Sequence, residues 1–158
     1  MILELILMIS SSQPEARVVH QLARFVTKEA IALLLNLNPE QIYRIDCWQY
    51  VIHVVGKGVS TFVSYADLPP ILGAETPTAK DFLRWRKRWR KHQYKAPGFW
   101  VKFYEQKLNT APSLAEMYRW GELLSVIKSV LSEAQLRRLR SLYAQKKQAI
   151  ESFQTQLV

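Results

Sequence analysis

Cysteine is almost absent: Cys47 stands alone. An internal disulfide is therefore excluded, as is a zinc site built on paired cysteines, and the usage fits a reducing compartment, the cytoplasm by default. Metal ligands are scarce too. His20, His53 and His92 lie far apart, with no cysteine or carboxylate at ligand spacing. No DxD or ExxE pair exists to hold a nuclease metal or to divide general acid and base work. GKGVST, residues 56–61, has the look of a phosphate loop, but the first Gly of GxxxxGKS is missing and Gly58 replaces the final Ser or Thr. A hairpin turn explains it. Cys47 beside Trp48 reads as a small buried hydrophobe, not a nucleophile. Neither catalysis nor a cofactor is expected.

Long apolar runs are also missing. The run near the N-terminus in MILELILMISSSQ is interrupted by Glu4, has no preceding Lys or Arg, and is far short of the roughly 20 residues that span a bilayer. Residues 2–9 read as a buried strand or helix edge, with a start at Met8 as the alternative. Only five glycines and no biased tract occur among 158 residues, of which 49% are apolar. Such a chain has enough apolar material for one domain with a real core, and no internal repeat is visible.

Acidic residues are missing from one place in particular. Between Arg84 and Lys95 there is none, and the chain's net charge of +9 is concentrated nearby. Residues 80–107 hold ten basic and two acidic side chains, whereas residues 1–79 hold five and seven. A cluster of this kind attracts phosphates over a Debye length, about 8 Å at physiological salt, while scattered charges screen one another.

Local signals divide the chain into an N-terminal α/β half, residues 1–68, a loop-rich hinge with Pro69, Pro70, Gly73 and Pro77 at 69–78, and a helical basic half at 79–158. Ser12 and Glu15 form a capping box for a helix from about Pro14, whose apolar face is Val18, Val19, Leu22, Phe25 and Val26. Thr27 recaps a second helix of about eight residues that Asn36 closes in the left-handed conformation. Asn38 and Pro39 start a third helix or a short turn. WQYVIHVVGKGVSTFVSY reads as a β-hairpin with arms at about 48–55 and 59–65. Helices follow at about 79–93 and 99–108, then after Ser113 with Glu116, and after Ser132 with Gln135. In the last, Leu136, Leu139, Tyr143, Ile150, Phe153 and Leu157 make a heptad seam broken by Lys146. The fold class is α+β: a mostly helical single domain with one β-hairpin.

TKEAIALLLNLNPEQIYRI, residues 27–45, resembles a helix-turn-helix, with small Ala32 in the first helix, Asn36 and Leu37 at the turn, and Ile42 and Ile45 as buried anchors. The resemblance implies that Glu40, Gln41, Tyr43 and Arg44 face a major groove. Followed by the hairpin, it implies a winged N-terminal half with Lys57 at the wing tip. A first hairpin arm starting at Ile42 would consume the second helix, so residues 39–48 stay open between helix and strand.

The segment DFLRWRKRWRKH, residues 81–92, carries the most pointed signal. On a helical wheel Phe82, Trp85, Trp89 and His92 share one arc, and Arg84, Arg86, Lys87, Arg88, Arg90 and Lys91 fill the rest. The tryptophans should dock the helix on the body. The basic arc, with no acid to form i,i+4 pairs, is expected to meet a phosphate backbone, since arginine binds phosphate bidentately. Arg84, Arg86, Lys87, Arg88, Arg90, Lys91 and Lys95, with Lys57 and Arg44, are the candidate nucleic-acid contacts, and a non-enzymatic regulator or accessory factor acting on DNA or RNA is the expected function. The competing class is a protein-interaction module using the heptad helix, alone or with a second copy, and the aromatic cluster Phe99, Trp100, Phe103 and Tyr104. Membrane-surface binding is disfavoured, because three large apolar residues make a small insertion face.

Overall fold

The computed structural model describes residues 19–157. The apolar run at 2–9 and the helix start at Ser12, Pro14 and Glu15 lie outside that range. The described end of the expected first helix is a 3₁₀ turn, Gln21–Phe25, opened by His20, whose Nδ1 accepts from the Leu22 N–H.

Five α-helices and one three-stranded antiparallel sheet follow among the described residues. Helix α1 is Lys28–Leu35, capped by Thr27 Oγ1 and closed by Asn36 at φ 59°, as the local signals require. Beyond it the helix-turn-helix expectation fails. Pro39–Gln41 is a single 3₁₀ turn, and Ile42–Cys47 is strand β1, paired with β2 (Ile52–Gly56), which pairs in turn with β3 (Val59–Val63). Ile42 and Ile45 do face the core, but from a strand; Arg44 therefore lies on the sheet, not on a recognition helix. Pairing with an already formed hairpin offers this β-branched segment a full ladder of backbone hydrogen bonds, which outweighs its weak helical pattern. The expected wing is thus the second and third strands of a meander.

Helix α2, Ala79–Arg88, is followed by a 3₁₀ turn at Arg90–His92, so the expected single helix to residue 93 is cut short. The break has a backbone cause. The Trp89 carbonyl accepts from the N–H groups of His92 and Tyr94, and Gln93 and Tyr94 both adopt left-handed φ, 57° and 63°. The chain then runs to α3 (Phe99–Thr110), α4 (Leu114–Val126) and α5 (Glu133–Gln156), with Ser113 and Ser132 capping as expected.

One buried cluster joins both halves. Leu22, Phe25, Ile31, Ile52 and Val54 pack with Trp85, Trp100, Phe103, Tyr104 and Met117. Leu68, Pro69 and Pro70 are buried as well, and the Tyr104 hydroxyl donates to the Pro70 carbonyl at 2.8 Å. Trp100, Phe103 and Tyr104 therefore serve the core and are not open to a partner. Of the heptad seam, Leu139 is buried and Leu136, Tyr143 and Ile150 pack on the core, while Phe153 and Leu157 are exposed.

The fully buried Asp81 fixes the start of α2. Its carboxylate accepts from the Thr78 N–H in a reciprocal capping box and pairs with Arg24, whose guanidinium also bonds the carbonyls of Gln21, Glu75 and Thr76. Burial opposes ionisation of Asp81, but the hydrogen bonds from Arg24 and Thr78, with the Arg24 charge, outweigh it and hold its carboxyl below the usual carboxylate range. A carboxyl depressed in the folded state contributes stability that is complete above about pH 4 and is lost as pH falls through its folded value. Asp81→Asn leaves Arg24 without a carboxylate and should cost about 3–5 kcal/mol in urea unfolding at pH 7. The variant's loss of stability between pH 5 and pH 3 should also be smaller than the parent's; an equal acid loss would show that Asp81 is not the responsible carboxylate.

Candidate nucleic-acid interface

The apolar arc of α2 is where the wheel places it. Trp85 and Trp89 are buried, their rings parallel at 6.0 Å, and the Trp100 indole closes on both edge-on at 5.5 and 4.9 Å. Phe82 meets Trp85 at right angles at 5.2 Å. His92, the fourth member of the arc, is exposed, because the helix ends before reaching it.

The basic arc divides into held and free cations. Arg88 makes a two-pronged pair with Asp67, Nε to Oδ1 at 3.1 Å and Nη2 to Oδ2 at 2.8 Å, and the Asp67 hydrogen bonds raise its already high pKa. Arg84 reaches Asp81 at 3.4 Å. Lys95 donates to the Ser129 carbonyl at 2.9 Å. Arg86, Lys87, Arg90 and Lys91 are exposed and have no carboxylate partner among the described residues; the Arg86 guanidinium lies 5.7 Å from the Phe82 ring centroid. Arg44 and Lys57 are not part of this group. Arg44 pairs with Asp46 at 2.8 Å on the sheet, and Lys57 sits in the β2–β3 turn, at the end of the sheet away from α2. The length of β2 alone puts that turn about 13 Å from the α2 end.

Three depressions open around the free cations. A groove of 920 Å³ runs between Lys87, Arg90, Lys91 and Lys95 and the Pro97–Gly98 entry to α3. Helix α3 starts there with no side-chain cap and no acid in its first turn, so its N-terminal dipole adds to the positive field. A second, shallower depression lies between Leu83, Arg86, Lys87, Arg90 and Tyr94. The third lies between Arg84, Lys87, Arg88 and the loop residue Tyr50. Lys87 borders all three.

Asp67 was the partner that the sequence did not announce. Besides holding Arg88, its carboxylate accepts from Trp89 Nε1 at 3.4 Å and its carbonyl from Trp100 Nε1 at 2.9 Å. It is the sole acid between Asp46 and Glu75, a hint visible in the sequence. Cys47, expected to be buried, is exposed on β1, and partial desolvation pushes its thiol pKa up, which leaves it a poor nucleophile at neutral pH. Among the described residues no three His, Cys, Asp or Glu side chains group as metal ligands, and no helix is long and apolar enough to cross a membrane. No family model matches the chain, and neither curated proteins nor solved structures give a match.

Indoles that dock and cations that project should respond oppositely to truncation. Trp85→Ala is expected to cost about 3–5 kcal/mol in urea unfolding. Alanine at Arg86, Lys87, Arg90 or Lys91 should shift stability by no more than about 0.5 kcal/mol each. A large loss at any of those four would mean that the cation is structural.

Proposed function

We propose that this protein is a non-enzymatic nucleic-acid-binding protein, a regulator or accessory factor, which grips the phosphate backbone along α2 and the turn after it. The observation that carries the reading is the row Arg86, Lys87, Arg90 and Lys91: four exposed cations with no carboxylate partner among the described residues, beside a groove. An ordinary solvated helix face interleaves acids with its lysines and arginines; this one leaves like charges side by side, a cost that a polyanion removes. Arg84, Arg88 and Lys95 contribute field more than contacts, since each already has a partner. Arg44 and Lys57, at the sheet, lie outside the main grip. Contacts to phosphate position a ligand without reading its bases, so sequence preference is weak. The lone Cys47 supports a reducing, cytoplasmic setting.

One observation favours a protein partner in addition. The end of α5 exposes Phe153 and Leu157, at 60% and 71%, beyond the part that packs on the body. That surface is remote in sequence from the basic segment and serves a second copy or another subunit without competing for the cations.

Four engaged phosphates give a slope of about −3 to −4 in a plot of log affinity against log salt. Electrophoretic mobility shifts with duplex and single-stranded oligonucleotides across a salt series should show it. Lys87→Ala and Arg90→Ala should each reduce the slope by about 1 and weaken binding to all sequences alike. Binding indifferent to salt, or no binding to either form at low salt, overturns the reading.

A further inference from the structure

The three-stranded sheet buries one face. Ile42, Ile52, Val54 and Val63 point from it into the core. The register sets Asp46 opposite His53 opposite Phe62, and Arg44 opposite Val55 opposite Ser60, on the other face. Strand alternation leads one to expect small polar residues at such outward positions. At the end nearer α2 the sheet instead carries a cluster of rings: Trp48 lies 5.4 Å from both His53 and Phe62, and those two lie 5.1 Å apart. Trp48 and Phe62 are 49% and 58% exposed, and Tyr50, two residues on, is 79% exposed. A single exposed aromatic residue is ordinary; three rings in mutual contact, on a face whose other side chains are Arg44, Asp46, Val55 and Ser60, are a built patch.

The patch is also held still. The Trp48 N–H donates to the Val51 carbonyl at 2.9 Å, and its carbonyl accepts from the buried Tyr65 hydroxyl at 2.6 Å. It lies next to the cations: Tyr65, which bonds the Trp48 carbonyl, and Tyr50, two residues from Trp48, both line the depression that Arg84, Lys87 and Arg88 border. Charge complementarity therefore selects the occupant. A patch beside a depression lined by Arg84, Arg88 and the free Lys87 suits a ligand that presents flat apolar faces and closely spaced negative charges together, and an unpaired nucleic-acid strand does both. A duplex hides its base faces.

We infer that the outer sheet face at Trp48, His53 and Phe62 is a stacking platform for unpaired bases, and that the strand held by the α2 cations is single. This rests on the nucleic-acid reading above and narrows it. Stacking does not depend on the sugar, so oligothymidylate and oligouridylate should both bind.

Fluorescence supplies the test, since Trp85, Trp89, Trp100 and Trp120 are at most 4% exposed and Trp48 is the one indole that a base can reach. Titrating the full chain with oligothymidylate, oligouridylate and a duplex of equal length should quench tryptophan emission to saturation with the two single strands and little with the duplex. Trp48→Ala should weaken single-strand binding roughly 5- to 100-fold and remove the quenching, while duplex affinity stays within about twofold. Trp48→Phe should keep most of the single-strand affinity, and Phe62→Ala, at an equally exposed position, should lower it. Unchanged single-strand affinity in both Trp48→Ala and Phe62→Ala, with salt-sensitive binding intact, overturns the stacking inference and leaves the phosphate grip standing. Self-association that Trp48→Ala abolishes while oligonucleotide affinity is unchanged also overturns it, in favour of an interface between copies. Absence of binding to any oligonucleotide at low salt overturns both.

Discussion

The packing of Trp85 and Trp89 against Trp100 is the contact on which the basic segment depends. A helix and turn with six cations close together have a reason to fray, and the magnitudes decide whether they do. Like charges three or four residues apart on a helix cost about 0.2–0.5 kcal/mol a pair, so the whole arc costs no more than about 3 kcal/mol. Burying a single indole removes about 200 Å² from water, worth about 5 kcal/mol before entropy. Two buried indoles outweigh the repulsion, and the Thr78–Asp81 box with its Arg24 pair fixes the first turn as well. The cations can therefore stay exposed without unravelling their own support.

Carboxylates within the molecule reach some of the arc and not the rest, and the division follows the geometry of docking. Arg84 and Arg88 flank the buried tryptophans: Arg84 meets Asp81 one turn earlier on α2, and Arg88 is near enough to the body to find Asp67. Arg86, Lys87, Arg90 and Lys91 project away from it. Had all six cations been neutralised in this way, none of the arc would be left free. Asp67 does three things at once: it pairs with Arg88, accepts from the Trp89 indole, and through its carbonyl accepts from the Trp100 indole. The inner edge of the arc is thus tied to the aromatic packing that carries the outer edge.

What could be read from the sequence was whatever a few neighbouring residues decide. Thr27, Asn36, Ser113 and Ser132 mark helix ends through hydrogen bonds that span three or four positions, and each end is where these residues put it. The docking of Trp85 and Trp89 followed from the helical period alone. Three features were not legible, each for a nonlocal or unsignalled reason. Strand β1 depends on a partner strand that later residues form, so its own pattern stayed ambiguous between helix and strand. The end of α2 rests on left-handed Gln93 and Tyr94, residue types that do not advertise that conformation. The Arg88–Asp67 pair joins positions 21 residues apart. The aromatic patch belongs to the same class: alternation puts His53 and Phe62 outward, but only the register brings them to each other and to Trp48.

A short chain of side chains joins the basic arc to the aromatic face. His20 stacks on Tyr65 with centroids 4.3 Å apart, and Tyr65 donates to the Trp48 carbonyl. Partial burial, and then the nearby Arg84 charge, lower the His20 pKa, which keeps the ring neutral at physiological pH and its Nδ1 free to accept from Leu22. Burial raises the Tyr65 pKa, so its hydroxyl keeps the proton that it donates. Both protonation states suit the hydrogen bonds they make. His20, Tyr65 and Trp48 thus form a connected chain, and Arg84 lines the same depression as His20 and Tyr65. The helix that carries the cations and the backbone that carries Trp48 are fixed relative to one another before anything binds, so a ligand that touches both need order only the free side chains.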